Sequence, residues 1–409
     1  MSVRKRKWTS KGVEHEAWVV DYVDGAGARR LKTFSKKKEA DAFSAASKVE
    51  IRDGVHVADS ASVAVKEAGR LWLSTVGKAG REQSTLDQYR QHLELHIVPF
   101  IGDTKLNALT LPAVRAFEDG LRDDGRSAAM VRKVLVSLGS LLADAQERGL
   151  VARNVVRERG RRRKADARQE QRAKGRLRAG IDFPLPSEIK ALVAHLAGRW
   201  RPLLLTAIFT GLRASELRGL TWSALDLEGK VLKVHQRADR YNAIGRPKSA
   251  AGDREVPMPP IVANALKEWR LACPRADTGK KDADGQPIKE LRLAFPNTIG
   301  KVESLANIIN RGLIPTQLAA GIAHDIGKVD EDGQPVLVAK YTGMHSLRHF
   351  YASWCINRRA DGGLELPAKV VQERLGHSTI AMTMDVYGHL FPRGDDGQEL
   401  AAAEAALLA

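Results

Sequence analysis

The chain has 409 residues, a formal net charge of +17 and a hydrophobic content of 43%. This length predicts two or three domains, and the charge favours nucleic acid or another anionic surface as the partner. No apolar run has the length of a membrane span, and the basic first residues lack the apolar core of a signal peptide, so we expect a cytoplasmic protein with no membrane partner. Cys273 and Cys355 have no metal-type spacing and are expected to be reduced thiols.

Residues 1–58 are predicted to form a small sheet followed by a helix. Ala17–Val23 and Arg29–Phe34 have the aromatic and β-branched content of strands, and the glycines between them indicate a turn. The helix that follows contains Ala40 and Phe43. A basic β-ribbon fits a DNA groove, although the same charges also serve to keep a small domain in solution.

Residues 62–155 read as a bundle of short amphipathic helices. Val65, Leu71 and Trp72 belong to the first apolar stripe, and further stripes follow through the segment. Candidate phosphate contacts lie on the polar faces, at Arg90, Arg132 and Lys133, unless these faces are only solvated.

Residues 156–181 are predicted to be a basic interdomain linker. The run Arg161–Lys164 stands at its centre, and the stretch has almost no large apolar residues with which to form a core. Such a segment lies against DNA, serves as a flexible tether, or does both.

Residues 182–395 are predicted to form one further domain, mainly helical with a few strands. The stretches 277–291 and 324–340 are rich in glycine and charge and look like surface insertions. His324 and Asp325 resemble part of a metal phosphohydrolase site, but no companion ligands surround them at usable spacing.

The last quarter of the chain carries the clearest chemistry. His345 and Arg348 are three residues apart in a helical pattern, and His377 and Tyr387 follow in neighbouring segments. A guanidinium, two imidazoles and a phenol brought together would bind a phosphate and hold a nucleophile beside it, which indicates phosphoryl transfer. His345 and His349 also have the spacing of a zinc pair. Arg348 between them would repel a cation, and the glutamate of the metalloprotease motif is missing.

Three sequence motifs, taken in order, resemble those of the tyrosine recombinases, the phage integrase family. Thr210–Leu217 resembles the first catalytic box, Pro247–Ser249 the hairpin with the catalytic lysine, and the segment from His345 to Tyr387 the second box. The resemblance implies this set of catalytic residues: Arg213, Lys248, His345, Arg348, His377 and the nucleophile Tyr387, with Glu216 in support. Of these, His345 is the better candidate for the general base, and Lys248 is the expected acid for the leaving 5′ oxygen.

The resemblance also implies the domain plan. We expect a small α+β arm-type DNA-binding domain at residues 1–58, an all-α core-binding bundle at 62–155 that forms half of a clamp on DNA, and a mainly α catalytic domain with a small antiparallel sheet at 182–395. The expected tail, 396–409, has an alanine-rich run with Leu400 and Leu407 at helical spacing, after a break from Pro392 to Gly397.

By the same resemblance, the protein is a phage or mobile-element integrase that recombines DNA through a 3′-phosphotyrosine intermediate. Its implied partners are double-stranded DNA at core and arm sites, three further copies in a tetramer, an accessory DNA-bending protein and a directionality factor. No metal, ATP or other cofactor is expected, since the arginines and Lys248 supply the positive charge.

Two rival functions remain open. A type IB topoisomerase uses closely related residues, although the arm-like N-terminal segment and the spacing around Tyr387 favour a recombinase. The second rival is a non-catalytic DNA-binding regulator. A missing nucleophile or arginine would have supported it, but each residue of the catalytic set is present.

Overall fold

The computed structural model describes residues 1–10, 13–24, 27–54, 56–58, 62–159, 176–392 and 396–409. The chain divides into two compact units, residues 1–168 and 169–409. The basic centre of the predicted linker, residues 161–164, lies outside the described residues. No helix in the described part of the chain is long and apolar enough to cross a membrane.

The first unit begins with a three-stranded antiparallel sheet in the order β1-β2-β3, made of β1 (Ser2–Ser10), β2 (Val13–Val23) and β3 (Arg29–Phe34). Helix α1 (Lys37–Arg52) covers one face, where Val20 and Ala40 are buried. The sequence predicted β2, β3 and α1 but not β1. That strand lacks an apolar alternation because four consecutive basic residues, Arg4–Lys7, occupy its middle.

A helical bundle completes the first unit. Its helices are α2 (Val65–Lys78), α3 (Gln83–His92), α4 (Val98–Ile101), α5 (Leu111–Asp123), α6 (Ala128–Glu147) and α7 (Val155–Arg159). A π-helical turn, Leu93–Ile97, joins α3 to α4. Helices α5 and α6 begin where the hydroxyls of Thr110 and Ser127 accept hydrogen bonds from backbone N–H groups of the first turn. The predicted bundle is therefore present.

The second unit is built around a buried helix, Trp200–Thr210. The helices of this unit are α8 (Pro186–Ala194), α9 (Trp200–Thr210), α10 (Ala214–Gly219), α11 (Pro260–Ala272), α12 (Leu305–Asn307), α13 (Ile314–Ala319), α14 (His345–Ile356), α15 (Ala368–Leu375), α16 (Ile380–Tyr387) and α17 (Asp396–Leu408). Leu204, Leu205 and Ile208 of α9 are completely buried, as expected for a helix that is apolar on every side.

The sheets of the second unit are small and antiparallel. Strands β4 (Leu225–Asp226), β5 (Val231–Val234) and β8 (Arg254–Pro257) form one sheet in the order β4-β5-β8. Between β5 and β8, the chain forms a ribbon of β6 (Arg237–Ala238) and β7 (Ile244–Gly245). With the helices above, these sheets confirm the predicted fold class.

The two suspected insertions fold as separate β-hairpins. The first consists of β9 (Ala276–Lys281) and β10 (Pro287–Glu290), and the second of β11 (Ala323–Val329) and β12 (Pro335–Ala339). Both hairpins have the same turn, in which the Asp282 or Asp330 carboxylate accepts hydrogen bonds from the N–H groups two and four residues later. Most residues of these ribbons are exposed.

The tail helix α17 begins at Asp396, so the expected break does not extend through Gly397. Three of its leucines expose more than two thirds of their surface: Leu400, Leu407 and Leu408.

Candidate active site

Arg213, the first arginine of the predicted catalytic set, is positioned by the end of α9. Gly211 ends that helix with a φ of 61°, and a Cβ at this position would overlap the ring of Tyr351. Only glycine satisfies both conditions without strain. The chain then turns so that Arg213 stands at the N-cap of α10, where its backbone N–H donates to the Glu216 carboxylate at 2.9 Å.

Glu216 is the buried anion of the site. Arg213 Nη1 donates to its Oε1 at 2.8 Å, and Arg254 Nη2 donates to its Oε2 at 2.9 Å. Burial opposes ionisation of Glu216, but the hydrogen bond and charge of Arg254, together with Arg213, hold its pKa below the usual value. Glu216 therefore orients two guanidinium groups. The sequence interpretation assigned it a supporting role but gave Arg254 none.

Arg348 is the most deeply buried cation of the site, with 1% of its surface exposed. Its Nη1 donates to the Gly211 carbonyl at 2.7 Å, and its Nη2 donates to the Leu375 carbonyl. Burial, with the nearby charge of Arg213, lowers its pKa to about 9, so Arg348 stays protonated at neutral pH. Neutral carbonyls satisfy its hydrogen bonds but leave its charge unbalanced. An anion beside it would be stabilised.

A third backbone carbonyl that binds an arginine belongs to Gly376. It accepts a hydrogen bond from Arg213 Nη2 at 3.2 Å. Gly376 ends α15 with a φ of 62°, and a Cβ there would stand 2.8 Å from Nη1 of Arg254 and 2.9 Å from the carbonyl oxygen of Ala251. Gly211 and Gly376, whose carbonyls bind Arg348 and Arg213, are thus both positions at which the backbone and the close contacts require glycine.

Two predicted histidines border this cationic centre. His377 is buried, and its Nδ1 lies 3.0 Å from the Thr383 hydroxyl, which leaves Nε2 for a substrate oxygen. Burial and the charges of Arg348 and Arg213 lower its pKa to about 4. His345 begins α14 and is exposed at the surface. Partial desolvation and the same two arginines lower its pKa as well.

The predicted nucleophile, Tyr387, is the last residue of α16 and is 1% exposed. Burial raises its pKa to about 12, against the opposing effect of Arg348 and Arg213. Its ring lies nearly parallel to that of His377, with the centroids 6.3 Å apart. Its hydroxyl lies 2.7 Å from Nδ1 of His349, a residue that the sequence interpretation considered only as half of a zinc pair.

Lys248 lies at the border of the site. It is exposed, in the connection between β7 and β8. Three residues later, the Ala251 carbonyl packs against Gly376, so this connection adjoins the carbonyl that holds Arg213. The structure thus brings six predicted residues into one centre, namely Arg213, Glu216, His345, Arg348, His377 and Tyr387, while Lys248 lies on a neighbouring exposed loop.

The arrangement is suited to an anionic substrate with a tyrosine attacking it. Arg213 and Arg254 both pair with the carboxylate of Glu216, and Arg348 adds a third guanidinium group whose hydrogen bonds go to backbone carbonyls. The charge left over lies beside a phenol that would need both a proton acceptor and electrostatic stabilisation in order to attack.

Comparisons with known proteins agree with this chemistry. The family model described as "Phage integrase family" matches residues 185–393, more than half of the chain. A tyrosine recombinase XerC-like protein of Caldanaerobacter subterraneus subsp. tengcongensis is 25% identical over 371 residues, which cover 87% of each chain.

Solved structures share the fold. A Tn1549 transposon integrase in complex with transposon right-end DNA superposes with a TM-score of 0.58 at 19% identity, over 85% of this chain and all of that one. A lambda integrase tetramer bound to a Holliday junction gives a TM-score of 0.51 at 16% identity, over 91% of this chain and 95% of that one. The chain belongs to the phage integrase family and is a tyrosine-type site-specific recombinase.

Proposed function

We propose that this recombinase is a phage or mobile-element integrase that cleaves and rejoins double-stranded DNA through a 3′-phosphotyrosine intermediate. The observation that carries the proposal is the placement of buried Tyr387 beside the excess positive charge of Arg213 and Arg348. The Tn1549 transposon integrase, a protein of similar fold, was solved with transposon DNA, which supports a mobile-element substrate.

Each predicted residue has a defined task in this reaction. Arg213 and Arg348 present forked donors to the non-bridging oxygens of the scissile phosphate, where negative charge is concentrated in the transition state. His377 adds a further donor through Nε2, and His345 is exposed at the edge of the site to contact the same oxygens. Lys248 reaches in from its exposed loop and protonates the leaving 5′ oxygen. Because the phosphotyrosine ester retains the energy of the broken bond, rejoining needs no nucleotide.

The sheet and helix at residues 1–58 would hold DNA outside the crossover site. In β1, the basic run Arg4–Lys7 is exposed on an edge strand, and Trp8 beside it stacks on His15 with the ring centroids 5.5 Å apart. Exposed cations next to an aromatic ring fit a groove and its phosphates. We therefore assign residues 1–58 to an arm site and the α2–α7 bundle to the core site.

Assembly on DNA follows from the chemistry of exchange, since two duplexes require four cleavages. The lambda integrase of similar fold was solved as a tetramer on a Holliday junction, which supports four copies here. The reaction would take place on the bacterial nucleoid, with an accessory bending protein and a directionality factor as further partners.

The two rival functions are weaker. A regulator has no need of a phenol buried among guanidinium groups, and a topoisomerase has no need of a separate basic sheet at residues 1–58. A plasmid relaxation assay separates the topoisomerase from the integrase, because an integrase requires its own site on the DNA.

Covalent capture tests the proposal and also finds the site. The full chain is incubated with nicked duplexes that contain a randomised region, and the adducts that survive denaturation are isolated and sequenced. We expect one enriched core sequence, with the DNA attached through a tyrosine by phosphoamino-acid analysis. The proposal is refuted if wild-type protein forms no more covalent adduct than the Tyr387→Phe variant does.

Footprinting on DNA flanking the selected core tests the arm assignment. Full-length protein should protect a second region that a chain lacking residues 1–58 leaves open. Identical footprints from both chains refute the arm role.

A further inference from the structure

The hydroxyl of Tyr387 has a specific partner that the catalytic set above leaves unused. Nδ1 of His349 lies 2.7 Å from the tyrosine oxygen, a normal hydrogen-bond length for these two atoms. The two residues are 38 positions apart, and the contact joins α14 to the end of α16. The partly buried imidazole therefore touches the very atom that attacks phosphorus.

Two histidines of α14 are candidates for the proton acceptor. His345 and His349 are one helical turn apart, and their ring centroids are separated by 4.5 Å. His345 begins the helix and is exposed at the surface, whereas His349 is half-buried and is the one whose ring nitrogen lies within hydrogen-bonding distance of the phenol. A general base must reach the proton that it removes, so geometry favours His349.

We propose that His349 is the general base that accepts the phenolic proton of Tyr387, an inference that rests on the proposed function. As the Tyr387 oxygen forms its bond to phosphorus, the O–H bond breaks and an N–H bond forms at Nδ1. The bond from phosphorus to the 5′ oxygen breaks at the other side, and that oxygen takes its proton from Lys248. In the rejoining step the attacking 5′ hydroxyl gives its proton back to Lys248, and the protonated His349 returns its proton to the departing phenol, so the cycle balances.

The surrounding charges determine when the proton moves. His345 and Arg348 on the same helix disfavour a charged His349, Asp182 favours it, and burial makes the largest contribution, so that the pKa of His349 falls to about 4. The pKa of Tyr387 is raised to about 12. The proton therefore stays on the phenol in the free protein. It moves only during attack, when bonding to phosphorus acidifies the phenol and the bound phosphate stabilises the imidazolium.

The test measures the first-order rate of adduct formation on the nicked duplex selected above, with protein in excess. His349→Ala should react about a hundredfold to ten-thousandfold more slowly, the range that general bases contribute. Its rate should rise with pH as hydroxide replaces the base, and added imidazole should restore much of it. His345→Ala, on the same helix, is the matched comparison, and imidazole should not restore its rate.

A second substrate separates the two ends of the reaction. With sulfur in place of the 5′ oxygen, Lys248→Ala should recover, but His349→Ala should stay slow because the phenol still has to lose its proton. His349→Asn controls for structure: the amide is a smaller polar group that can still bond the phenol but cannot act as a base at neutral pH, so it should bind the duplex normally and react slowly.

Three results overturn the inference. These are a near wild-type rate for His349→Asn, a slow His349→Ala that imidazole and higher pH leave unchanged, and restoration of His345→Ala by imidazole instead. If wild-type protein forms no adduct, the proposed function is wrong. If wild-type protein reacts and one of the three results above is found, the function stands and only the role of His349 is wrong.

Discussion

Arg213 donates a hydrogen bond to the backbone carbonyl of Gly376 at 3.2 Å, although the two residues are 163 positions apart. Arg348 in turn donates to the carbonyl of Gly211, two residues before Arg213. Each of these two arginines thus donates to a glycine carbonyl in the segment that carries the other arginine. These two hydrogen bonds connect the segment of Arg213 to the segments of Arg348 and Gly376, so we expect a change in either glycine to affect both arginines.

Gly376→Ala should therefore slow cleavage strongly. The methyl group would meet Arg254 and the Ala251 carbonyl and displace the carbonyl that orients Arg213. We expect a loss of about tenfold or more in adduct formation, and a destabilisation of about 1–3 kcal/mol from the left-handed backbone alone. The control is Gly362→Ala, which also has a positive φ but nothing within 4 Å of its Cβ. It should lose stability and keep its cleavage rate. Equal rates for the two variants would show that the close contact at Gly376 is unimportant.

Glu216→Ala should destabilise the catalytic unit by about 3–5 kcal/mol, because it leaves the buried Arg254 without its counter-ion. Denaturant unfolding measures this. Glu268→Ala, which removes the exposed partner of Arg201, is the matched control and should cost less than about 1 kcal/mol. If both substitutions cost the same, the buried network does not stabilise the fold.

The same carboxylate predicts a pH dependence. The pKa of Glu216 is lowered in the folded protein, so its ionised form stabilises the fold above the unfolded-state pKa of about 4.3. This stability is lost as the pH falls through the folded-state pKa. The difference in unfolding free energy between wild type and Glu216→Gln should accordingly shrink below about pH 4. A difference that is constant down to the acid transition would argue against an ionised Glu216.

Lys248→Ala tests the proposed acid. Replacing the leaving 5′ oxygen with sulfur gives a leaving group that scarcely needs a proton, so the variant should cleave the sulfur substrate at nearly the wild-type rate. Arg213→Ala should remain slow on both substrates, because the phosphate charge still requires its donor. Equal defects of Lys248→Ala on the two substrates would remove Lys248 from this role.

The exposed leucines of α17 motivate a prediction about assembly. A helix this short is marginal alone in water, and docking of Leu400, Leu407 and Leu408 on a neighbouring copy would stabilise it by a few kcal/mol, roughly. Deleting residues 395–409 should leave binding to one duplex intact and abolish or unbalance the complex of two duplexes on a native gel. Wild-type complex formation and recombination by the truncated chain would mean that the tail has no part in assembly.

The sequence was sufficient for features that repeat locally. Apolar periodicity predicted the helical bundle at residues 62–155, which contains α5 and α6, and the motif order predicted that Arg213, Arg348 and Tyr387 belong to one site. The features it missed depend on distant contacts. Strand β1 becomes recognisable only when paired with β2.

The missed functional residues follow the same rule. Arg254 matters because β8 carries it to Glu216 and to the Arg374 carbonyl, 38 and 120 positions away in the chain. His349 matters because α16 ends against α14. The only sequence signal for His349 was its place one turn after His345 on the helix that carries Arg348, and that spacing alone does not show which ring reaches the phenol.

The identity of the nucleophile is the central claim, and Tyr387→Phe tests it most directly. The substitution removes one oxygen from a buried ring, so the variant should fold and bind the selected nicked duplex as wild type does. The measurement is the covalent protein–DNA band on a denaturing gel. We predict a strong band for wild type and none for Tyr387→Phe. A covalent band from the variant would contradict the assignment of Tyr387 as the nucleophile.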